Sequence, residues 1–274
     1  FISESTFNDD IRAWNVSSVT NMNRMFNLAA SFNSDIGNWD VSNVVDTYRM
    51  FYHAYAFNQD ITNWNVTSVT DMTHMFNGAS IFNQNVGKWN VSSVTNMFVM
   101  FRDTNDFNQD ISNWDVSHVT DMGHMFRNAL AFNQNIGDWD VSSVTSMGHM
   151  YYGASVFNQN IAHWDVSSVT NMESMFLQAT AFSQELCWDV SGKTVTNMFD
   201  GTNGATTVVC SPSSSPSGLP TIVPTSQPRR DASFKKHFQN ECENVREVVR
   251  DGFQEAQGGL QMALKRLRAA IGPK

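Results

Sequence analysis

Two polar columns recur at fixed spacing, and their residue types could do chemistry. Asn15, Asp40, Asn65, Asn90, Asp115, Asp140, Asp165 and Asp189 form the first; Ser17, Ser42, Thr67, Ser92, Ser117, Ser142, Ser167 and Ser191 lie two residues further on. A line of carboxylates and hydroxyls at regular intervals could recognise a repeating polymer, a protein patch or calcium. Its core would be Asp40, Asp115, Asp140 and Asp165 with Ser42, Ser117, Ser142 and Ser167. Calcium fits less well, because a hard cation wants roughly six to eight oxygens converging from a loop rather than a flat row. The alternative is structural: Asx and Ser/Thr side chains solvate an edge and brace turns. Asn15, Asn65 and Asn90 each open an N-V-S or N-V-T sequon, and glycans there would block the face.

His74, His124 and His149 share another column with Arg24 and Arg49. That mixture suits an exposed position on a helix better than a metal site, which needs fixed ligand geometry. The chain has no nucleophile set beside a base and an orienting group, no H-E-x-x-H and no phosphate-binding glycine loop. Repetition itself argues against an enzyme, since catalysis needs one distinctive constellation and each polar residue here has several copies. No catalytic residue, metal or cofactor is expected.

What positions these columns is an internal repeat. Tryptophan falls at Trp14, Trp39, Trp64, Trp89, Trp114, Trp139 and Trp164, every 25 residues, and then at Trp188, one residue early. Phenylalanine forms two more columns, Phe7 to Phe182 and Phe26 to Phe199, with Tyr151 filling the one gap in the second. Trp39-Asp40-Val41-Ser42 alternates with period two, the mark of a strand with one buried face. Met122, Met125, Phe126 and Ala129 stand at i, i+3, i+4 and i+7, one stripe of a helix, with Thr120 and Asp121 placed to cap it. The asparagines Asn33, Asn58, Asn83, Asn108, Asn133 and Asn158 mark a return loop where an inward amide can satisfy unpaired backbone groups. The expected fold is therefore an α/β solenoid, leucine-rich-repeat-like, with about eight 25-residue coils, each holding a short parallel strand and a short helix. Helices need wider spacing than strands, so the body should curve with the strands on its concave side.

The unit W-[DN]-V-S-x-V-T-[ND]-M-x-x-M-F-x-x-A-x-x-F-N-Q-[DN]-I resembles the BspA-type repeat, also described as a mycoplasma lipoprotein-associated repeat, over about residues 7 to 200. The resemblance implies a leucine-rich-repeat-like fold, an extracellular or cell-surface location, and adhesion or protein binding. It carries no catalytic residues.

Three segments follow from composition. Residues 1–210 form the repeat array, 211–228 a Pro/Ser-rich linker with Pro212, Pro216, Pro220, Pro224 and Pro228 every four residues, and 229–274 an amphipathic helical tail. The array carries 7 Lys+Arg against 20 Asp+Glu, which makes non-specific nucleic-acid binding unlikely, whereas residues 229–274 carry 10 against 6. No apolar run is long enough to span a bilayer. The chain opens partway through a coil with neither signal peptide nor initiator methionine, which reads as a processed or trimmed product. Cys187 and Cys210 are 23 residues apart beside the last coil, within bridging reach in such a stack, with two reduced thiols as the alternative; a bridge would add about 3 kcal/mol and point to an oxidising compartment. The apolar stripe of residues 231–271 needs cover, for which self-association or a partner is expected.

The function expected is non-enzymatic binding or adhesion at the cell surface or outside the cell, with protein or polysaccharide as ligand and the tail serving assembly. The alternative is a structural subunit of an extracellular filament, appendage or matrix.

Overall fold

The computed structural model describes residues 3–207. By contacts the chain divides into Phe1–Ser213 and Ser214–Lys274, and the expected linker, helical tail and self-association surface lie outside the described residues. So do Cys210 and Cys242.

Each 25-residue coil lies on the next, and equivalent side chains stack. Phe51 and Phe76 have ring centroids 5.5 Å apart and planes 5° from parallel, and Trp64 and Trp89 lie 6.4 Å apart at 5°. Within a coil the two phenylalanine columns alternate, so Phe51 also stacks on Phe57 at 3.9 Å. The Trp, Phe, Met and Val columns are buried along the array, together with Tyr151 in the phenylalanine column. Burial loosens at the ends of the described array, where Trp14 is 47% exposed and Phe7, Met25 and Phe199 are half-buried.

The α/β reading does not hold. Among the described residues there is no helix, and the only strands are β1 (Glu185–Leu186) and β2 (Thr206–Thr207), paired in parallel with Glu185 opposite Thr206. The Met122–Ala129 stretch is a ribbon of turns. Met125, Arg127 and Ala129 donate their backbone N–H groups to the carbonyls of Met122, His124 and Phe126 three residues back, while Met122, His124, Phe126 and Asn128 donate to Ser146, Gly148, Met150 and Tyr152 in the next coil. Alternate amides thus close local turns and bind the neighbouring coil. Two positions per coil, four residues apart, take a left-handed backbone: His124 (φ 56) and Asn128 (φ 55), His149 (φ 56) and Gly153 (φ 69). An α-helix cannot pass through them.

The physical reason is pitch. Packed helices need about 8–10 Å between axes, and the aromatic columns step by only 5.5 Å between Phe51 and Phe76. A helix in every coil would force the columns apart. A ribbon of turns satisfies its amides at the shorter step, and with the helices goes the reason for a curved body. The sequence pattern misled because periods of 3.6 and 4 residues are indistinguishable over the eight positions from Met122 to Ala129.

The strand expected at Trp39–Ser42 is likewise two turns meeting. Trp39 donates its backbone N–H to Ile36 and Val44 to Val41, which keeps Trp39 and Val41 buried and Asp40 exposed without a ladder. Parallel pairing occurs instead as single bridges along another column, from Asn21–Asp46 through Asp71, Asn96, Asp121 and Ser146 to Asn171–Thr194. Of the two oxygens expected to cap a helix, Asp121 Oδ1 caps a turn, accepting from the Gly123 N–H at 2.8 Å as Asp46 Oδ1 does from the Tyr48 N–H at 2.8 Å, while the Thr120 hydroxyl donates to the Thr95 carbonyl of the neighbouring coil at 3.1 Å.

Two further ladders lock coil to coil. Each return-loop asparagine accepts from the next coil, as when Asn108 Oδ1 takes the Asn133 N–H and the Gln134 side-chain amide, both at 2.9 Å. Each indole from Trp39 to Trp164 donates Nε1–H to a carbonyl 28 residues back, Trp64 to Ile36 at 3.1 Å for example. Trp188, one residue early, is buried with no partner for its Nε1; the shortened last coil has slipped it off that register.

Candidate functional site

The Asp/Ser edge lies where the repeat predicts, and its oxygens are partly committed. Asp40, Asp115, Asp140 and Asp165 are exposed. Asp40 Oδ1 accepts from both the N–H (3.1 Å) and the hydroxyl (2.6 Å) of Ser42; Asp115 with Ser117 and Asp140 with Ser142 do the same, and Asp165 takes the Ser167 N–H at 3.0 Å. These bonds hold the four carboxyl groups below the ordinary 3.8. Each aspartate therefore braces its own turn with one oxygen. The sequon asparagines are built alike: Asn15 and Asn90 accept from Ser17 and Ser92, Asn65 from the Thr67 N–H, and all three are exposed.

The histidine column is not an exposed helical row. His74, His124 and His149 are half-buried, on left-handed backbone, inside a continuous chain of ring and cation contacts. The Arg24 guanidinium lies 5.1 Å from the Tyr48 ring centroid, and Arg49 sits between Tyr48 at 5.1 Å and Tyr52 at 5.0 Å. The chain continues edge-on from Tyr52 to His74 at 5.8 Å, to Phe98 at 5.8 Å and to His124 at 5.6 Å. His124 stacks on His149 at 4.5 Å, His149 meets Tyr152 at 6.1 Å, and Arg127 covers the Tyr152 ring at 4.4 Å. His53 joins at the side, edge-on to Tyr52 at 4.2 Å, with the 49% exposed Tyr55 beyond it.

Backbone conformation assembles this ridge. The left-handed residue at each turn brings repeat positions that are one, four and five residues apart onto one face, coil after coil. Tyr48 and Phe98 share one repeat column and Tyr52 and Tyr152 another; the available signal was that aromatic and cationic residues replace one another at repeat positions whose neighbours hardly change.

Burial dominates the electrostatics. It pushes His74 and His124 down to about 4, with Arg49 reinforcing it at His74 and His149 at His124. His53 and His149 are lowered for the same reason. A neutral imidazole costs less to bury than an imidazolium. Arg24 and Arg49 have no ion pair among the described residues, where the pairs are Arg12 with Asp10 and Arg102 with Asp103. Arg49 Nε is in addition buried without a hydrogen-bond acceptor. Among the described residues no group of three or more His, Cys, Asp or Glu side chains could hold a metal ion, and no helix is long and apolar enough to cross a membrane.

Against known families, the chain matches the model described as "Mycoplasma protein of unknown function, DUF285" over residues 1–80, 59–139 and 110–211. No curated protein and no solved structure matches it. The chain belongs to the DUF285 family.

Proposed function

We propose that this DUF285 member is a non-enzymatic binding protein of the cell surface or extracellular space, and that its recognition surface for protein or polysaccharide is the ridge from Arg24 to Tyr152. The observation carrying this reading is the ridge's continuity, with rings and guanidinium groups touching from one coil to the next. Aromatic and arginine side chains are enriched among the residues that dominate binding at recognition surfaces; tyrosine offers large, rigid contact area with few rotamers to freeze, and arginine several donors in a fixed planar fork. Elsewhere the repeated polar side chains brace turns or join coils.

The Asp40–Asp165 edge is a secondary surface in this reading, with one carboxylate oxygen left over at each of Asp40, Asp115 and Asp140 after the turn is braced. The likeness of the unit to BspA-type repeats supports surface binding. A Cys187–Cys210 bridge belongs to the same proposal: Leu186, next to Cys187 in the sequence, pairs with Thr207, three residues before Cys210. Mass mapping of a non-reduced digest tests it.

The functional reading is tested by screening the full chain against protein and glycan arrays beside a ridge variant, Tyr48→Ala with Tyr52→Ala, and an edge variant, Asp115→Asn with Asp140→Asn. The reading requires ligands that the ridge variant loses and the edge variant retains. Ligands lost only with the edge variant would move the site to the aspartates, and an array with no ligand would end the proposal.

A further inference from the structure

Resting on that reading, we infer that the ridge takes an acidic polysaccharide, a linear chain of sugars bearing carboxylate groups, laid along the stack. Three observations converge on it.

The first is charge. Residues 1–210 hold 7 Lys+Arg against 20 Asp+Glu, so a cation there has acids to spare as partners. Arg12 and Arg102 use them. Arg24 and Arg49, adjacent in one column, do not; they lie on tyrosine rings, and Arg49 Nε is buried with no acceptor. A guanidinium over a ring keeps N–H donors for a carboxylate; Arg24 is exposed, whereas the Nε of Arg49 is buried and leaves only its terminal nitrogens to reach a ligand.

The second is surface type. Tyr48 and Tyr52 combine an apolar face with a hydroxyl, and Tyr55 is 49% exposed. Such faces pack against the C–H face of a pyranose ring while the hydroxyl meets its rim. A fully phosphorylated polymer would meet the acid excess of the array at far higher charge density, about one charge per 1.7 Å of duplex, whereas a carboxylated glycan spreads its charges over whole sugar units.

The third is register. Arg24 and Arg49 are 25 residues apart in one column, so they stand one coil apart. Successive coils step by 5.5 Å between Phe51 and Phe76, comparable to the length of one sugar unit in an extended chain. A polymer of regular repeat can therefore meet successive cations without distortion, which an irregular acidic protein cannot do as a class.

The test measures binding of the full chain to polygalacturonate and to the same polymer with its carboxyl groups reduced to alcohols. The acidic form should bind and the reduced form should bind at least about tenfold more weakly, as loss of charge-assisted bonds implies. Arg24→Gln with Arg49→Gln should weaken binding to the acidic form by a similar factor. Arg24→Gln alone, at an exposed position, should give part of that loss with an unchanged melting curve. Equal binding of both polymers, no binding of the acidic one, an unaffected double variant, or tighter binding of a single-stranded polynucleotide with the same arginine dependence would each overturn the inference. The broader reading of the ridge would survive these outcomes if Tyr48→Ala with Tyr52→Ala still abolished an array ligand, and would fall if it did not.

Discussion

The imidazole rings of His124 and His149 lie face to face, centroids 4.5 Å apart and planes 14° from parallel. They come from successive coils, and each ring has a buried Nδ1 without a hydrogen-bond partner. Stacked neutral rings attract weakly; two imidazoliums at that distance repel.

Acid stability follows from this arrangement. His74 and His124 are lowered from 6.5 to about 4, so below 6.5 the unfolded chain takes up protons that the folded chain refuses. Stability is thus full above 6.5 and falls as pH drops towards 4. The turn-bracing aspartates, lowered from 3.8, act in a separate window, their contribution being lost below that value. Thermal melts of the full chain between pH 7 and 3 should show a falling Tm, and His74→Asn with His124→Asn should flatten the slope above pH 4 while leaving the loss below it. An unchanged slope would remove the histidines from the explanation.

Tyr151 stands in a column otherwise filled by phenylalanine, with its hydroxyl buried and unpaired. Burying an unsatisfied hydroxyl costs about 1–3 kcal/mol. Tyr151→Phe should therefore raise stability by about 1 kcal/mol in urea unfolding, without a change in m-value. A destabilised variant would mean that the hydroxyl has a partner.

Asn108 Oδ1 accepts two bonds from the following coil. Asn108→Ala leaves the Asn133 N–H and the Gln134 amide without that acceptor and should cost about 1–3 kcal/mol. Asn8→Ala removes an equivalent acceptor, for the Asn33 N–H and the Ser34 hydroxyl, from a residue that is itself exposed, and should cost less. Equal losses would indicate that burial does not set the strength of this ladder.

Gly78 combines a left-handed backbone (φ +76) with the His53 ring, which an added Cβ would approach to 2.6 Å. Gly78→Ala should destabilise through both strain and clash, by more than about 1 kcal/mol. In a His53→Ala background only the backbone cost remains, so a double-mutant cycle should return a non-zero coupling. Additive effects would place the whole cost in the backbone.

The sequence by itself determined the stack. The unbroken 25-residue recurrence of Trp39 to Trp164 can be satisfied at once only if each coil covers the last, and burial of these columns follows. It also foretold the return-loop asparagines, and Asp121 as a cap though of a turn rather than a helix, because both depend on local spacing. Tertiary structure alone decided the backbone that links them. The aromatic step, 5.5 Å between Phe51 and Phe76, is too short for packed helices, so Met122–Ala129 yields its helical bonds to turns and to the neighbouring coil. The ridge was hidden for the same reason: whether Arg49, Tyr52 and His74 touch depends on left-handed turns at Arg49, His53 and His74, a choice that the short inter-coil step imposes and that the pattern of apolar residues along one coil does not record.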